Sequence, residues 1–438
     1  MSDIVSPTLL TNASASHTTS VADARPRFFT PGMWIVTAIS VLGLAAWLFR
    51  MVFGLGASTN LTDAYPWGIW IALDVATGVA LAAGGFTTAF LAHILHREQF
   101  HPLVRPALLT AMLGYTFVAL GVMTDLGRFW AMWHVMLPPF WQPNSVLFEV
   151  AICVMCYLTV LYIEFLPAAC ERFIGRVNLP GMLRVLNRPI DRFLRIADRT
   201  LARVMTVFII LGIMLSCMHQ SSLGTLMVIT QGKVHPFWHT PALPLLFLLS
   251  AFAVGYPMVI LESIIAHRSL RLPIDRELLS RLARFIPYTL GFYLGAKLAD
   301  LGIRGQLSVI FSGGNNTALL LAELLFGVII PILIFISSKR RASVGWLLLG
   351  ASLVVCGVAF NRLNVFLLAY SPLDPRATYM PSISEILVTV GAIAMTVLAY
   401  RALVFHLPVI EHFTPQVSPG AARVSAHHAP VHSSGARE

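Results

Sequence analysis

Tyr115, Glu149 and His219 stand in otherwise apolar stretches and could exchange protons and hydrogen bonds with a redox-active lipid. A quinol releases two protons and two electrons, and the oxygens of the quinone take hydrogen bonds from imidazole or phenol. Glu149 could exchange a proton, because partial burial can lift a carboxylate toward neutral pH. His219 could donate to a ring oxygen or pass a proton on. Gln220 follows His219 directly, and Asp74 lies in the same half of the membrane. Asp125 and Arg128, three residues apart at a helix end, read as an ion pair on the outer rim. A purely structural polar network would also account for these residues, Asp74 in particular if neighbouring hydroxyls hold it.

Ten long apolar stretches have to position these groups, at about 33–55, 66–92, 103–124, 146–168, 203–225, 242–264, 284–303, 317–337, 344–366 and 383–405. Each is long enough for a helix to cross roughly 30 Å of hydrocarbon. Continuous apolar runs exclude barrel strands. The expected fold is therefore an all-α polytopic transmembrane bundle. The composition agrees, with 57% hydrophobic and 11% charged residues. The net charge of +10 could suggest nucleic acid, but its placement argues against that partner. With the N-terminus placed inside, the outer side carries only Arg50, Arg128, Lys233, Lys297, Arg304, Arg362 and Arg376 of the 30 basic residues. That asymmetry is the positive-inside signature, and an even number of spans puts both termini in the cytoplasm. The inner excess would contact anionic lipid heads.

Loop length divides the chain into a transmembrane domain at 32–410, with helical groups at about 33–168, 203–264 and 284–405, between flexible cytoplasmic ends at 1–31 and 411–438. No cleaved signal peptide is expected. The 169–203 connection could carry a short amphipathic surface helix, since Leu183, Leu186, Ile190, Phe193 and Leu194 recur among arginines. Gly291 and Gly295, like Gly78, Gly84 and Gly85, read as close helix packing. Five cysteines include a CxxC at Cys153 and Cys156, which inside an apolar helix reads as packing and not as a metal site. Haem competes as a ligand, but only His93 and His219 lie within the spans, with no depth-matched pair. No metal, haem or iron–sulfur centre is expected in this chain. Ionisable residues elsewhere in the spans, Glu164, Glu262, Lys297 and Glu323, could line a proton route or form packing networks. The outer loops are aromatic and rich in proline: Tyr65-Pro66-Trp67, Trp130 to Trp141, and His235 to His239. They are either interfacial anchors or a docking surface.

Several long stretches carry a family resemblance. They are VFGLGASTNLTDAYPWGIWIALDVATG at 52–78, REQFHPLVRPALLTAMLGYT at 97–116, DLGRFW at 125–130, NSVLFE at 144–149, MHQSSLGTLM at 218–227 and KVHPFWHTP at 233–241. From about 35 to 407 the chain resembles the NrfD/PsrC family, in the HybB-type branch that serves as membrane subunit of nickel–iron hydrogenase-2. The resemblance implies a quinone-reactive anchor in the bacterial inner membrane that is not itself the hydrogenase. It implies a periplasmic ferredoxin-like four-cluster subunit as partner, bridging to the hydrogenase small and large subunits, whose iron–sulfur and nickel–iron centres lie outside this chain. Tyr115, Glu149 and His219 match family positions tied to quinone or proton handling; Asp74, Asp125 and Arg128 sit in shared motifs. Two alternatives stand beside this: an equivalent subunit of another respiratory oxidoreductase such as a molybdenum enzyme, and an ion or solute transporter.

Overall fold

The computed structural model describes residues 27–178, 181–230, 232–311, 313–374 and 376–410. Of the flexible ends expected at 1–31 and 411–438, residues 1–26 and 411–438 fall outside the described residues, while the Arg27 and Phe28 carbonyls accept from Arg401. Within them the chain forms α1 (Pro31–Phe53), α2 (Trp70–Ile94), α3 (Glu98–Asp125), α4 (Val146–Phe173), α5 (Asn187–Val228), α6 (Leu243–Leu270), α7 (Ile286–Ile303), α8 (Asn315–Ile336), α9 (Val344–Leu368) and α10 (Ile383–His406). Among the described residues nine helices are long and apolar enough to cross a membrane. The remaining long helix, α7, has 18 residues and carries Lys297 and Asp300, which lower its mean hydropathy. The protein is an all-α polytopic membrane bundle.

Helices α2–α5 pack as one four-helix bundle and α6–α9 as a second, joined where α6 lies against α2 and α5. Helices α1 and α10 pack along each other at the edge. Their close approach needs glycine: a Cβ on either Gly43 or Gly391 would collide with the backbone of the other. Gly327 of α8 and Gly357 of α9 make the same kind of crossing. Gly84 and Gly85 also meet neighbouring helices, at Val259 and Ala111. Gly291 and Gly295 do not, contrary to the expectation from their spacing. Both are exposed on α7, with open space where a Cβ would stand.

The second departure concerns α5. Among the described residues the expected surface helix is not separate: a 3-10 turn at Gly181–Leu186 runs straight into α5. The helix starts at Asn187, 42 residues from its end, and so runs about 63 Å, roughly twice the hydrocarbon thickness. Good helix formers and the arginines of 188–203 let it propagate straight out of the membrane. Gly175, just past α4, ties this extension down by donating its N–H to Asp191 Oδ1 at 2.6 Å.

Buried cations fix the helix ends. The Arg50 guanidinium, 1% exposed, donates to the Thr124 carbonyl at 2.8 Å and the Leu126 carbonyl at 2.6 Å, capping α3 from α1. At the other end Arg401 donates to the Phe28 and Arg27 carbonyls and to Ser269. Glu385 opens α10 with a capping box and also accepts from Tyr379 and the Asn60 N–H, pinning the 59–69 segment.

Candidate quinone site

Tyr115 of α3 and His219 of α5 are both fully buried, with ring centroids 5.7 Å apart. They arrive together because α3 and α5 run in the same direction on either side of α4. Tyr115 lies about 15 Å from the C-terminal end of α3, and His219 about 14 Å from that of α5. Tyr157 of α4 packs edge-on against Tyr115 at 4.6 Å. Gln220 is anchored: its Nε2 donates to the Val79 carbonyl of α2 at 2.8 Å. Five polar atoms of this cluster have no hydrogen-bond partner among the described residues: the Tyr115 hydroxyl, Ser216 Oγ, both His219 ring nitrogens and Gln220 Oε1. Buried polar groups are ordinarily satisfied, so such a concentration of unmet donors and acceptors marks a place built to meet a polar partner.

Glu149 stands beside this cluster, exposed, in the first turn of α4, with Ser145 as N-cap. Its Oε1 accepts from Ser222 Oγ at 2.5 Å. Ser222 lies one turn from His219 along α5, which sets the Glu149 carboxylate about one helical turn from the imidazole with no hydrogen bond between them among the described residues. Ser216, Ser222 and Tyr157 were not singled out from the sequence. The two serines lie three residues either side of His219, a helical spacing that marks them once His219 is suspected.

Other candidates go elsewhere. Asp74 points away from His219, and its Oδ2 accepts from Thr389 of α10 at 2.9 Å. This is the hydroxyl-held arrangement that the sequence left open. Asp125 and Arg128 form no ion pair among the described residues. Arg128 is exposed, whereas Asp125 is part-buried with Arg50 as its nearest cation. The helix ends at Asp125, so the i,i+3 geometry that would have brought Arg128 back does not exist.

Glu164, lower on α4, lines a cavity of about 780 Å³ that opens near the inner end between α2, α3, α4 and α5. His93, His101, Arg105 and Glu171 share that lining. A Cβ at Gly212 of α5 would come within 2.7 Å of Glu164 Oε1, so a side chain there would push the carboxylate aside. Above it, Tyr157 neighbours Glu164, Ser216 and Tyr115. A broken line of polar groups thus runs from the inner cavity to His219. Glu262 lies apart, toward α3 and α10.

Lys297 and Glu323 belong to a separate network in the second bundle. Glu323 accepts from Trp238 Nε1, Asn361 Nδ2 and Asn364 Nδ2, each at 2.8 Å. Lys297 donates to the Phe237 carbonyl, and Arg362 to Asn361 and Ser250. The aromatics of the 235–239 loop are therefore core: Phe237 and Trp238 are at most 1% exposed. Burial holds the His235 imidazole below its ordinary range. By contrast Trp130, Trp133, Phe140 and Trp141 are all exposed, on a stretch stiffened by Pro138 and Pro139.

The sequence matches the family described as polysulphide reductase, NrfD over residues 57–372. The chain belongs to the NrfD family. It is 35% identical, over 82% of its length and 88% of the relative's, to a protein of Escherichia coli named "Probable Ni/Fe-hydrogenase 2 b-type cytochrome subunit". It is 27% identical, over 86% of its length and 90% of the relative's, to the "Menaquinone reductase, integral membrane subunit" of Nitratidesulfovibrio vulgaris. A selenate reductase subunit of Mesobacillus selenatarsenatis is 24% identical over 86% of this chain and 93% of its own. A family of quinone-interacting membrane subunits of reductases is thereby the chain's setting. The b-type cytochrome name raises haem, which the histidines here do not suit. Of the histidines placed within the spans, His93 meets His101 edge to face at 4.9 Å and His219 packs against Tyr115, so among the described residues these two do not form a facing pair. Among the described residues no group of three or more His, Cys, Asp or Glu could hold a metal ion.

Proposed function

We propose that this chain is the quinone-reactive membrane subunit of a hydrogen:quinone oxidoreductase, and that the Tyr115–His219–Glu149 group handles the quinone. The observation that carries this reading is the cluster of buried donors and acceptors around Tyr115 and His219, with the exposed Glu149 carboxylate held by Ser222 one helical turn from His219. A quinone ring arriving laterally from lipid would meet Glu149 first and His219 one turn deeper. Tyr115 and His219 hold its oxygens, and Glu149 exchanges a proton with it. Electrons come from an iron–sulfur cluster in a docked partner.

That partner, in this reading, is a periplasmic ferredoxin-like four-cluster subunit linked to the small and large subunits of a nickel–iron hydrogenase. The exposed Trp130–Trp141 stretch supplies the docking face: large, rigid aromatics with few charges suit a protein interface. Loop charge supports an inner-membrane location with both termini cytoplasmic. Protons for quinone reduction are drawn from the inner cavity through Glu164, Tyr157 and Ser216, which would make the reaction charge-separating. Asp74, Asp125 and Arg128 shape the surroundings. Lys297 and Glu323 form a second polar path, whose part in proton movement substitutions at Glu323 would reveal.

The test replaces Glu149 by Gln in the assembled complex. Hydrogen-to-quinone turnover should fall by about a hundredfold or more, the scale of general acid–base catalysis, with reduction of the partner's clusters by hydrogen unchanged. Unchanged turnover across a broad pH range refutes the proton role. The selenate reductase relative, and a protein of Halobacterium salinarum named as a dimethyl sulfoxide reductase membrane subunit, favour a second reading in which the same site serves another respiratory reductase. Copurification decides between the two.

A further inference from the structure

The inner half of the bundle holds a second lipid-facing feature, separate from the Tyr115–His219 group. A crevice of about 160 Å³ opens between α1, α3, α6 and α10. Ile265 and Val397 stand at its mouth, 53% and 44% exposed, so the mouth faces the hydrocarbon. Its floor carries three polar groups from three helices: Glu262 of α6, Thr110 of α3 and Tyr400 of α10. Thr110 and Tyr400 approach the Glu262 carboxyl. Even so, both Glu262 oxygens, Thr110 Oγ1 and the Tyr400 hydroxyl are buried without an aligned hydrogen-bond partner among the described residues. The three groups lie within reach of one another, yet none makes an aligned bond, so the trio keeps donors and acceptors free for a polar group entering the crevice.

Depth and size restrict the occupant. Glu262 lies about 12 Å above the end of α6 and Tyr400 about 9 Å above that of α10, within the inner leaflet. Thr110 and Tyr115 are five residues apart, about 140° around α3, so this helix separates the two features. A volume of about 160 Å³ is well below the roughly 300–1,000 Å³ of sites that enclose a drug-sized ligand. It suits a single ring with its tail left in lipid. Water could bridge the three polar groups, but apart from Ser269, Thr396 and Arg401 the remaining lining is apolar, and Ile265 and Val397 flank the opening. The rim is preformed, since Arg401 is locked by Ser269 and by two carbonyls ahead of α1.

We propose that this crevice is a second binding site for the ring of a membrane quinone or quinol, with Glu262, Thr110 and Tyr400 sharing hydrogen bonds to one ring oxygen. The proposal concerns binding alone and holds whether or not Tyr115 and His219 form the reaction site.

The experiment uses the full chain in nanodiscs of phosphatidylethanolamine and phosphatidylglycerol. A photoreactive azido-naphthoquinone with a short isoprenoid tail is the probe, and labelled peptides are mapped by mass spectrometry. Label is expected on residues 258–266 and 396–400, displaced by unlabelled menaquinone and not by a long-chain alcohol. The near-isosteric variants Tyr400→Phe and Thr110→Val, combined, should lower that label at least about fivefold while leaving any label near His219 unchanged. Glu262→Gln should lower it in the same way. Absence of displaceable label in the crevice, equal displacement by the alcohol, or indifference to all three substitutions overturns the proposal. Crevice label without label near His219 would instead count against the proposed reaction site.

Discussion

Tyr115→Phe separates a quinone-binding role from a structural one, because the two predict opposite signs. The substitution removes one oxygen from a fully buried ring and leaves the edge-on contact with Tyr157 in place. The hydroxyl makes no well-aligned hydrogen bond among the described residues, although Ser216 and Gln220 lie beside it, so at most a weak protein contact is lost with it. An unsatisfied buried hydroxyl costs about 1–3 kcal/mol, and its removal should therefore leave stability unchanged or raised. If the same hydroxyl donates to a quinone oxygen, the variant loses a hydrogen bond worth about 0.5–1.5 kcal/mol, or roughly two- to thirteenfold in kcat/KM for quinone. The assay pairs hydrogen-to-quinone turnover of the assembled complex with hydrogen-dependent reduction of a soluble dye, which draws electrons from the partner alone. Thermal unfolding of the purified complex reports stability. A variant with wild-type kcat/KM for quinone, or one less stable by more than about 1 kcal/mol, refutes the assignment of Tyr115 to the quinone.

Glu164→Gln should slow charge separation across proteoliposomes, read with a potential-sensitive dye, at least about tenfold while cluster reduction in the partner stays normal; an unchanged potential per quinol formed removes Glu164 from the proton path. Gly391→Leu should lower the melting temperature and the yield of assembled protein, because the backbone of Gly43 occupies the space its side chain needs; normal thermal stability would contradict the crossing of α1 and α10. Glu323→Ala leaves three buried donors without their acceptor and should destabilise by about 3–5 kcal/mol, whereas Glu323→Gln keeps one acceptor oxygen but turns an N–H₂ toward a donor and should recover only part of that stability. If the Gln variant is stable and still halves the potential generated, the second network moves protons; if it pumps normally, Glu323 is structural.

The helix positions were legible because span length and loop charge are local properties. Each predicted stretch lies within a few residues of an observed helix, apart from α5. The exception has a physical cause: hydropathy ends where the arginines begin, but helical hydrogen bonding does not, so α5 continues inward to Asn187. Long-range pairings were not legible. Nothing near Asp74 announces that Thr389, more than three hundred residues later, holds its carboxylate. Nor does Gly291-x-x-x-Gly295 reveal that its neighbours lie elsewhere while single glycines make the tight crossings. At the candidate site, residue type selected Tyr115 and His219, and matching depth along parallel helices brings them together. The connecting groups, Ser222, Ser216 and Tyr157, are uninformative alone and gain meaning only once the faces of α4 and α5 are known. Aromatic loops were ambiguous in the same way. Trp238 serves as a buried donor to Glu323, and Trp133 remains exposed; the difference is what packs above each.

The inner cavity bears on which side of the membrane supplies protons. Glu149 is exposed at the outer end of α4, yet the buried polar groups do not stop beneath it. They descend through His219, Tyr115, Tyr157 and Ser216 to Glu164, where the cavity shared with His93 and His101 begins. A site that needed only outer protons would have no use for a carboxyl buried two-thirds of the way down α4, nor for a glycine on α5 whose lack of a side chain makes room for it. Removing that room tests the point without touching any titratable group. Gly212→Ala should displace the Glu164 carboxylate, and it should slow proton uptake from the inner side while hydrogen still reduces the partner's clusters at the normal rate. Equal slowing of both would mean that the bundle itself had been distorted, and the inward path would lose its support.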